Sequence, residues 1–428
     1  MKIVVLGLWH LGCVTAACAA KFEPVTGLDF DPAAVAYLQN GKPPLFEPGL
    51  ADLIGEGLRN GRLAFSDDPA AACQEADLLW VCCDTPVDDD DVADLTPVID
   101  GIGRCVPHLQ PGTLILISSQ VPAGTCRTLE ARFPTYRFAY SPENLRLGKA
   151  LSIFTNADRI ILGVRSETDA GELKPFLTHF TQDLIVVRTE SAEMIKHAIN
   201  SFLASSIAFM NEISRICEQI GADAKEVERG LKSEPRIGLG AYLSPGGPFA
   251  GGTLARDVVA LTKIGQEKSE PLVLVPAIKL SNDQHKRWTV RRLEEEWGEL
   301  IGRNVAILGL TYKPGTDTLR RSLAIELCRE LLNAGTNVRA FDPIVAALPG
   351  DLAAVTLSRN VEEVVLGADA AIVCTEWPQI READWDEILA KTKNLIFIDA
   401  NGFLAKMVRN REGVTYRQVG KPKVIGER

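Results

Sequence analysis

The sequence lacks the features by which membrane, secreted and nucleic-acid-binding proteins are recognised. It contains no run of about 18 or more apolar residues, so we expect no membrane span. Its first residues, MKIVVLGLWHLG, enter a strand pattern directly, so we expect no signal peptide. Its formal net charge is −10, and this acidity argues against a nucleic-acid-binding surface.

The cysteine pattern also gives no indication of a metal site. The chain has 10 cysteines, but no CxxC pair occurs and no His and Cys spacing predicts a zinc site or another metal site. Scattered thiols, of which Cys82 and Cys83 lie in an apolar run, are typical of a reduced, cytoplasmic protein. The apolar fraction of 46% and the charged fraction of 24% are ordinary for globular proteins. A length of 428 residues predicts two or three domains.

The longest uninterrupted helical pattern covers residues 191–220. Apolar residues recur there with helical spacing over about 30 residues without Gly or Pro, which predicts a helix about 45 Å long. Lys196 and Asn200 lie four residues apart and therefore share one face of this helix. The same spacing is also typical of polar residues at the solvated edge of a core helix. A Gly- and Pro-rich segment, residues 234–257, follows and ends in Asp257. Such backbone often marks close approach to a ligand.

Apolar runs bounded by turn residues alternate with helical patterns before this helix. The runs are residues 2–7, 24–29, 76–83 and 112–119, and a further strand is expected within residues 175–190. A helical pattern at residues 11–20 separates the first two runs. Strands that alternate with helices predict a parallel sheet covered by helices on both faces.

The turn between the first strand and the first helix, GLWHLG, has the layout of a dinucleotide-binding fingerprint. In that layout the helix N-terminus faces a pyrophosphate, and Asp29, at the end of the next strand, bonds the ribose. Trp9 stands where the fingerprint requires its second glycine, which lets the backbone approach the pyrophosphate. The sequence is therefore consistent with two interpretations: a dinucleotide-binding site, or a βαβ unit that binds no dinucleotide.

Strand and turn patterns resume after a charged helical stretch that reaches about Gly302. They predict a second sheet, so the fold class is α/β, with two Rossmann-like doubly wound parallel sheets joined by a central helical domain with a long connecting helix. The expected domains are residues 1–190, 191–295 and 296–428.

Short motifs stand in a specific order along nearly the whole chain. They are EPGL (47–50), Thr85-Pro86, VPAGT (121–125), SPE (141–143), DRIILG (158–163), EMIKHAINSFLA (193–204), NE (211–212), PRIG (235–238), FAGGTLARD (249–257), GLTYKPGTDTLR (309–320) and FDP (341–343). Their order resembles that of the UDP-glucose/GDP-mannose dehydrogenase family. The wording of the SPE, DRI and RIG segments is more similar to its UDP-glucose branch than to its N-acetylhexosamine branch.

The resemblance implies an NAD-dependent enzyme that oxidises the C6 alcohol of a nucleotide sugar twice, to the carboxylate. It implies an N-terminal NAD-binding domain, a central domain that dimerises and a C-terminal domain that holds UDP. We therefore expect NAD as the cofactor, a UDP-sugar as the substrate and a homodimer as the assembly. We expect neither a nucleic acid nor a membrane as a partner.

The resemblance also implies roles for individual residues. Lys196 and Asn200 match groups that stabilise an oxyanion, and Asp257 matches a group that positions or deprotonates a water. Glu143 and Thr253 complete the candidate catalytic residues. The candidate cofactor-binding residues are Gly7, Trp9, His10, Leu11, Gly12, Asp29, Thr85, Pro86 and Gln120. The candidate substrate-binding residues are Arg236, which reaches the sugar from a neighbouring subunit, Phe249, Gly251, Lys313 and Arg320.

The chain departs from the family pattern at three positions. Thr253 stands where the family has its nucleophilic cysteine, Gln120 replaces a threonine and Leu147 replaces a glutamate, although Glu143 remains. A thiol with a pKa of about 8.5 ionises readily, whereas a threonine hydroxyl needs an adjacent base. All three changes fall on the covalent half of the reaction, and the three groups that serve alcohol oxidation are retained.

Three functions are consistent with this pattern. The first is an oxidoreductase that performs a single two-electron step, or oxidises and re-reduces its substrate as an epimerase would. The second is a full four-electron dehydrogenase with another nucleophile, for which Cys83 and Cys126 are candidates from other motifs. The third is a non-catalytic protein that binds a nucleotide sugar, which Trp9 favours if it blocks the cofactor site.

Overall fold

The computed structural model describes residues 1–88, 91–250 and 252–422. The chain forms two compact units, residues 1–199 and the residues from 200 onward. Among the described residues, no helix combines the length and the apolar character that crossing a membrane requires.

The first unit alternates strands and helices, as the sequence pattern predicts. Its strands are β1 (Ile3–Leu6), β2 (Val25–Leu28), β3 (Leu63–Ser66), β4 (Leu78–Val81), β5 (Leu114–Ile117), β6 (Arg137–Tyr140), β7 (Ile160–Val164) and β8 (Leu184–Arg188). Its helices are α1 (His10–Ala19), α2 (Pro32–Gln39), α3 (Leu50–Arg59), α4 (Pro69–Cys73), α5 (Thr96–Cys105), α6 (Thr125–Arg132), α7 (Ala150–Thr155) and α8 (Glu167–Leu177).

These strands form one sheet in the order β3-β2-β1-β4-β5-β6-β7-β8. The pairings are parallel, with one difference from the predicted sheet: β7 runs antiparallel to β6, where Tyr140 pairs with Gly163. Both faces of the sheet are covered. In β1, Ile3 and Val5 belong to the apolar cluster that contains α1, whereas Val4 and Leu6 belong to the cluster that contains α5. This burial on both faces explains the continuous apolar runs.

The turn after β1 requires glycine at two positions. Gly7 has a φ of +90°, and a Cβ atom there would lie 2.7 Å from the Cα atom of Cys83. A Cβ atom on Gly12 would lie 1.7 Å from the carbonyl oxygen of Gly7. Both contacts are far too short, so only glycine lets α1 begin directly above the end of β1.

The long helix α9 (Thr189–Ile220) confirms the predicted connecting helix. Its residues up to Ile199 belong to the first unit, and those from Asn200 belong to the second. With 32 residues, it is much longer than an average helix in a globular protein. One helix therefore carries side chains into each of the two units.

Glu193 on α9 is a fully buried carboxylate within the first unit. Its Oε2 atom accepts the N–H of Gly124 at 2.6 Å, and its Oε1 atom accepts the N–H of Cys126 at 2.8 Å. These N–H groups lie at the N-terminus of α6, where helices leave donors unsatisfied and favour negative charge. The VPAGT and EMIK motifs are therefore held together by a helix cap.

The second unit begins with helices and ends in a second sheet. Its helices are α10 (Ala224–Ser233), α11 (Thr253–Glu267), α12 (Leu274–Lys286), α13 (Trp288–Trp297), α14 (Leu323–Asn333), α15 (Val361–Val365), α16 (Pro378–Arg381), α17 (Trp385–Ala390) and α18 (Ala405–Val408). Its strands are β9 (Asn304–Leu308), β10 (Asn337–Phe341), β11 (Thr356–Leu357), β12 (Ala370–Val373), β13 (Leu395–Asp399) and β14 (Val414–Arg417). The sheet is parallel, in the order β11-β10-β9-β12-β13-β14.

The turn after β9 repeats the turn after β1. The glycine that follows each strand has a positive φ, +90° in the first sheet and +88° in the second. The next residue then donates its N–H to an aspartate that follows the neighbouring strand. Leu8 donates to Asp29 and Leu310 to Asp342, both at 2.7 Å. The two sheets thus begin with the same hydrogen-bonded turn.

The two aspartates differ in what else they bind. The buried Oδ2 atom of Asp342 also accepts the N–H of Thr311 at 3.1 Å and the indole N–H of Trp377 at 3.0 Å. In the described residues, Asp29 accepts one further bond, from the N–H of Asp31 in its own turn. An indole therefore closes the turn of the second sheet, whereas the carboxylate of the first sheet faces a cleft.

We predict that Asp342→Ala destabilises the second unit by about 3 kcal/mol, because buried donors on Leu310, Thr311 and Trp377 lose their acceptor. Denaturant unfolding followed by circular dichroism would measure the change. Asp351→Ala, which removes an exposed pair with Arg329, is the matched control and should leave stability unchanged. Equal midpoints for Asp342→Ala and the control would contradict the prediction.

Candidate functional site

A cleft of about 500 Å³ opens at the carboxyl ends of β1, β2 and β4. This is where the strand order of the first sheet reverses, the position at which open α/β sheets bind ligands. Four of the predicted cofactor residues line it, namely Gly7, Trp9, Asp29 and Pro86. The structure therefore brings the glycine turn and Asp29, the predicted ribose-binding residue, together around one opening.

The N-terminus of α1 fits a dinucleotide pyrophosphate. Trp9 is the N-cap residue of α1, and within the described chain no side chain caps this end of the helix. The N–H groups of the first turn are therefore available to an anion. Trp9 has a φ of −81°, which any residue adopts, and its side chain is 49% exposed at the cleft. Because the cleft is open with the indole in place, the residues present fit NAD.

The remaining cofactor candidates lie beside the cleft. His10 and Leu11 start α1, and Gly12 packs against the turn. The buried Thr85 hydroxyl donates to the carbonyl oxygen of Gln120 at 3.0 Å. This bond connects the loop after β4 with the loop after β5, so both loops are held at the same edge of the sheet.

The EPGL motif supplies a residue for which the sequence pattern predicts no role. The buried Glu47 carboxylate lies 3.0 Å from His10 Nε2 and accepts the N–H groups of Gly148 and Ala150 at 2.8 and 2.9 Å. Burial raises the pKa of Glu47, but these hydrogen bonds outweigh burial and lower it overall. An ionised carboxylate therefore ties the glycine turn to the loop that follows the SPE motif. In the sequence, the only indication of a role for Glu47 is its position directly before Pro-Gly in the EPGL motif.

Lys196 reaches the SPE motif within the first unit. Its side chain is buried, and Nζ donates to the carbonyl oxygen of Glu143 at 2.6 Å. Nζ also lies 3.6 Å from the Glu143 Oε1 atom, while Oε2 accepts the N–H of Leu145 at 2.7 Å. The ammonium is thus fixed in a largely dehydrated position beside one carboxylate, where a low local dielectric strengthens the effect of its charge on nearby groups.

Asn200 and Asp257 form the second pair of candidate catalytic residues, within the second unit. Both side chains are buried, and the Asn200 amide donates a hydrogen bond to Asp257 Oδ2. Thr253 is the exposed first residue of α11 and lies one turn before Asp257 on that helix. The structure therefore pairs the Asn200 amide with the Asp257 carboxylate, and the Thr253 hydroxyl lies one helical turn from that carboxylate.

The candidate substrate residues are more dispersed. The Arg236 guanidinium is exposed on the loop after α10 and pairs with Glu234 at 2.8 Å. Phe249 is buried in the small apolar cluster that contains Ala255 and Val258 of α11. Gly251 lies outside the described residues. Lys313 and Arg320 lie in the loop between β9 and α14.

No group of three or more His, Cys, Asp or Glu side chains in the described ranges is arranged to hold a metal ion. All ten cysteines fall within those ranges and are free thiols, nine of them buried. The first unit therefore offers an ammonium next to a carboxylate, and the second unit offers an amide bonded to a carboxylate.

Three models of one family match the chain in succession. The UDP-glucose/GDP-mannose dehydrogenase NAD binding domain matches residues 1–181, the central domain matches residues 190–284 and the UDP binding domain matches residues 306–406. Together they cover most of the chain.

Full-length relatives and solved structures agree with these matches. The chain is 31% identical to UDP-glucose 6-dehydrogenase TuaD of Bacillus subtilis, over 99% of this chain and 94% of that protein. It is 32% identical to UDP-glucose 6-dehydrogenase of Rhizobium meliloti, over 99% and 100%. The structure is similar to a UDP-glucose dehydrogenase from Pyrobaculum islandicum, with a TM-score of 0.87, 30% identity and coverage of 98% of each chain. It also resembles a UDP-D-ManNAc dehydrogenase from Pyrococcus horikoshii, with a TM-score of 0.84, 25% identity and coverage of 98% and 99%.

We predict that Trp9→Gly binds NAD severalfold more tightly than the wild type, because the indole narrows the path of the pyrophosphate to the helix N-terminus. Isothermal titration calorimetry with NAD measures the effect directly. Tyr37→Ala, which removes an exposed ring on α2, is the control and should bind NAD as the wild type does. Unchanged or weaker binding by Trp9→Gly would count against the prediction.

Proposed function

The chain belongs to the UDP-glucose/GDP-mannose dehydrogenase family, and from this premise we propose a single two-electron or redox-neutral step on an alcohol of a UDP-sugar. Members of this family are NAD-dependent nucleotide-sugar dehydrogenases. The observation that carries the proposal is the asymmetry of the site: the buried pairs of Lys196 with Glu143 and of Asn200 with Asp257 are intact, while Thr253 replaces the nucleophile.

The retained groups suit alcohol oxidation. When bound, NAD accepts the hydride from the alcohol carbon. Lys196, with the Asn200 amide, stabilises the negative charge that develops on the alcohol oxygen, because a buried cation acts in a low-dielectric environment. The alcohol proton passes to a water that Asp257 positions. Aldehyde formation needs no enzyme nucleophile.

The second oxidation lacks a nucleophile. Thr253 is exposed at the start of α11, and the nearest carboxylate on that helix, Asp257, is buried and bonded to Asn200. A threonine hydroxyl reacts poorly unless an adjacent base takes its proton, and this carboxylate already accepts the Asn200 amide. The family's covalent route to the carboxylate is therefore closed at this residue.

The two alternative cysteines do not replace it. Burial, and then the Asp29 carboxylate, raise the pKa of Cys83 to about 12. Burial, and then the neighbouring Glu193 carboxylate, raise the pKa of Cys126 well above its usual value. Both residues stay protonated thiols in the core near neutral pH, and only a thiolate attacks an aldehyde efficiently.

The proposal divides the chain into three parts. Residues 1–190 bind NAD, residues 191–295 dimerise, and residues 296–428 bind the UDP moiety. The match of a UDP binding domain to residues 306–406 supports the last of these. Lys313 and Arg320 neutralise the pyrophosphate of the substrate, since an ammonium and a guanidinium fork suit that group. Arg236, Phe249 and Gly251 contact the sugar, and the named relatives favour one similar to UDP-glucose.

The proposed homodimer forms through α9. In the part of this helix from Asn200 onward, four large apolar side chains are exposed, Phe202 at 73%, Phe209 at 48%, Ile216 at 54% and Ile220 at 72%. The first three repeat every seven residues, and the fourth follows four residues later, so they form one stripe. Such a stripe suits the same stripe on a second copy, related by a two-fold axis. The ten free thiols support a reducing compartment, and we propose the cytoplasm.

Phe209→Glu is expected to shift the protein from dimer to monomer, because it places a charge in the middle of the stripe. Light scattering coupled to size-exclusion chromatography would give both masses. Lys393→Glu changes the charge of an exposed loop away from α9 and should remain dimeric. A monomeric wild type, or a dimeric Phe209→Glu variant, would refute the assignment.

The test of the reaction is NADH formation with UDP-glucose, combined with mass spectrometry of the product. We expect one NADH per sugar and an aldehyde, or a redox-neutral isomer with no net NADH. We expect Thr253→Cys to give the same products, because Gln120 and Leu147 are also changed. Two NADH and a carboxylate from the wild type would overturn the proposal. Binding of UDP-glucose without any product would favour a non-catalytic role.

A further inference from the structure

The segment Gly246–Phe249, here called the glycine segment, runs just before the start of α11. It belongs to neither a helix nor a strand, yet it is largely removed from solvent. Backbone in such a place normally hydrogen-bonds to water. Here every N–H and C=O group of Gly246, Gly247 and Phe249 is bonded to a side chain instead.

Asn282 holds the end of this segment. Its Oδ1 atom accepts the N–H of Phe249 at 2.9 Å, and its Nδ2 group donates to the carbonyl oxygen of Phe249 at 2.8 Å. One amide thus mimics the paired bonds of a neighbouring strand. Because the Asn282 side chain is buried, the loss of either bond would leave a polar group unsatisfied.

His285 holds the beginning of the segment. Its Nε2 atom lies 2.8 Å from the carbonyl oxygen of Gly246, and its Nδ1 atom lies 3.0 Å from Arg215 Nη1. Since arginine can only donate, Nδ1 accepts and Nε2 carries the proton. Burial, together with Arg215 and Arg291, lowers the pKa of His285 to about 4, so the imidazole stays neutral near pH 7.

Two further asparagines complete the set. Asn211 of α9 accepts the N–H of Gly246 at 3.2 Å and donates to the carbonyl oxygen of Gly247 at 3.3 Å. Asn401, after β13, accepts the N–H of Gly247 at 2.8 Å. A Cβ atom on Gly246 would lie 2.4 Å from Asn401 Oδ1, so a larger residue here would displace the Asn401 amide.

The composition of α12 shows that these bonds are not incidental to core packing. Its buried residues are Ile278, Asn282 and His285, which share one face. Two of these three residues are polar. A helix that served only to fill the core would bury apolar side chains there, since burying an amide and an imidazole is costly without partners.

We infer that Asn282 and His285 are positioning residues that fix the glycine segment in the conformation that binds the nucleotide sugar. The inference rests on the proposed function, in which Phe249 and the residues after it contact the sugar. Phe249 is anchored twice, through its ring in the apolar cluster and through its main chain on Asn282. A backbone that is ordered before binding loses less entropy when the ligand binds.

The experiment compares full-length variants by hydrogen exchange and calorimetry. Asn282→Asp keeps the shape of the side chain but cannot donate to the carbonyl oxygen of Phe249. Asp283→Asn is the matched control, because Asp283 pairs with Lys279 and not with the segment. We expect the amides of the glycine segment to exchange about tenfold faster in Asn282→Asp, and UDP-glucose binding to weaken about tenfold. NAD binding should not change, because the cleft at Trp9 lies in the first unit.

A second pair of variants serves if Asn282→Asp does not fold. His285→Gln retains a donor for the carbonyl oxygen of Gly246 and an acceptor for Arg215, whereas His285→Ala removes both. We therefore expect His285→Gln to retain the slow amide exchange and the UDP-glucose affinity of the wild type. We expect His285→Ala to exchange faster and to bind UDP-glucose more weakly. His285→Met fills a similar volume but cannot donate to the carbonyl oxygen of Gly246, so it should behave like His285→Ala. If it behaved like His285→Gln, His285 would serve only to fill space.

The outcomes separate this inference from the proposed function. Unchanged exchange in Asn282→Asp and His285→Ala would overturn the inference, and so would faster exchange with unchanged UDP-glucose affinity. A wild type that binds no UDP-glucose would refute the proposed function instead. In that case, faster amide exchange in the variants would still show that Asn282 and His285 hold the glycine segment in place.

Discussion

The hydrogen bonds of four buried polar side chains of α9 are the interactions on which the rest of the structure depends. Each of the four has a partner, and an unpaired polar group in the interior costs more than most single contacts contribute. Glu193 caps α6, and Lys196 binds the carbonyl oxygen of Glu143 in the first unit. Asn200 binds Asp257, and Asn211 binds the glycine segment in the second unit. One helix thereby orders the site residues of each unit.

The two sheets show how one turn serves two purposes. In both, a glycine with positive φ lets the next N–H reach an aspartate at 2.7 Å. Asp29 faces a cleft of about 500 Å³, whereas Asp342 is covered by the indole of Trp377. The first turn is therefore open to a cofactor, and the second is a structural element of its domain. The difference lies in one side chain placed over the carboxylate.

The site separates electrostatic from covalent chemistry. In the proposed function, Lys196 acts on a reacting oxygen through its charge, which its buried position beside Glu143 would make effective. Covalent capture of an aldehyde needs a thiolate. None of the ten cysteines of this chain occupies position 253, where the family has its nucleophile. The proposed function follows from this separation, because alcohol oxidation and covalent capture depend on different side chains.

The fold class follows from the sequence by itself. Strands buried on both faces leave continuous apolar runs, and the 3.6-residue period marks α9, so both sheets and the long helix were predictable. The motif order likewise predicts Lys196, Asn200 and Asp257 as candidate catalytic residues. The partners of Glu47, Asn282 and His285 were decided only by the tertiary structure. Their hydrogen bonds join residues far apart in sequence and end on backbone atoms, which leave no trace in residue identity.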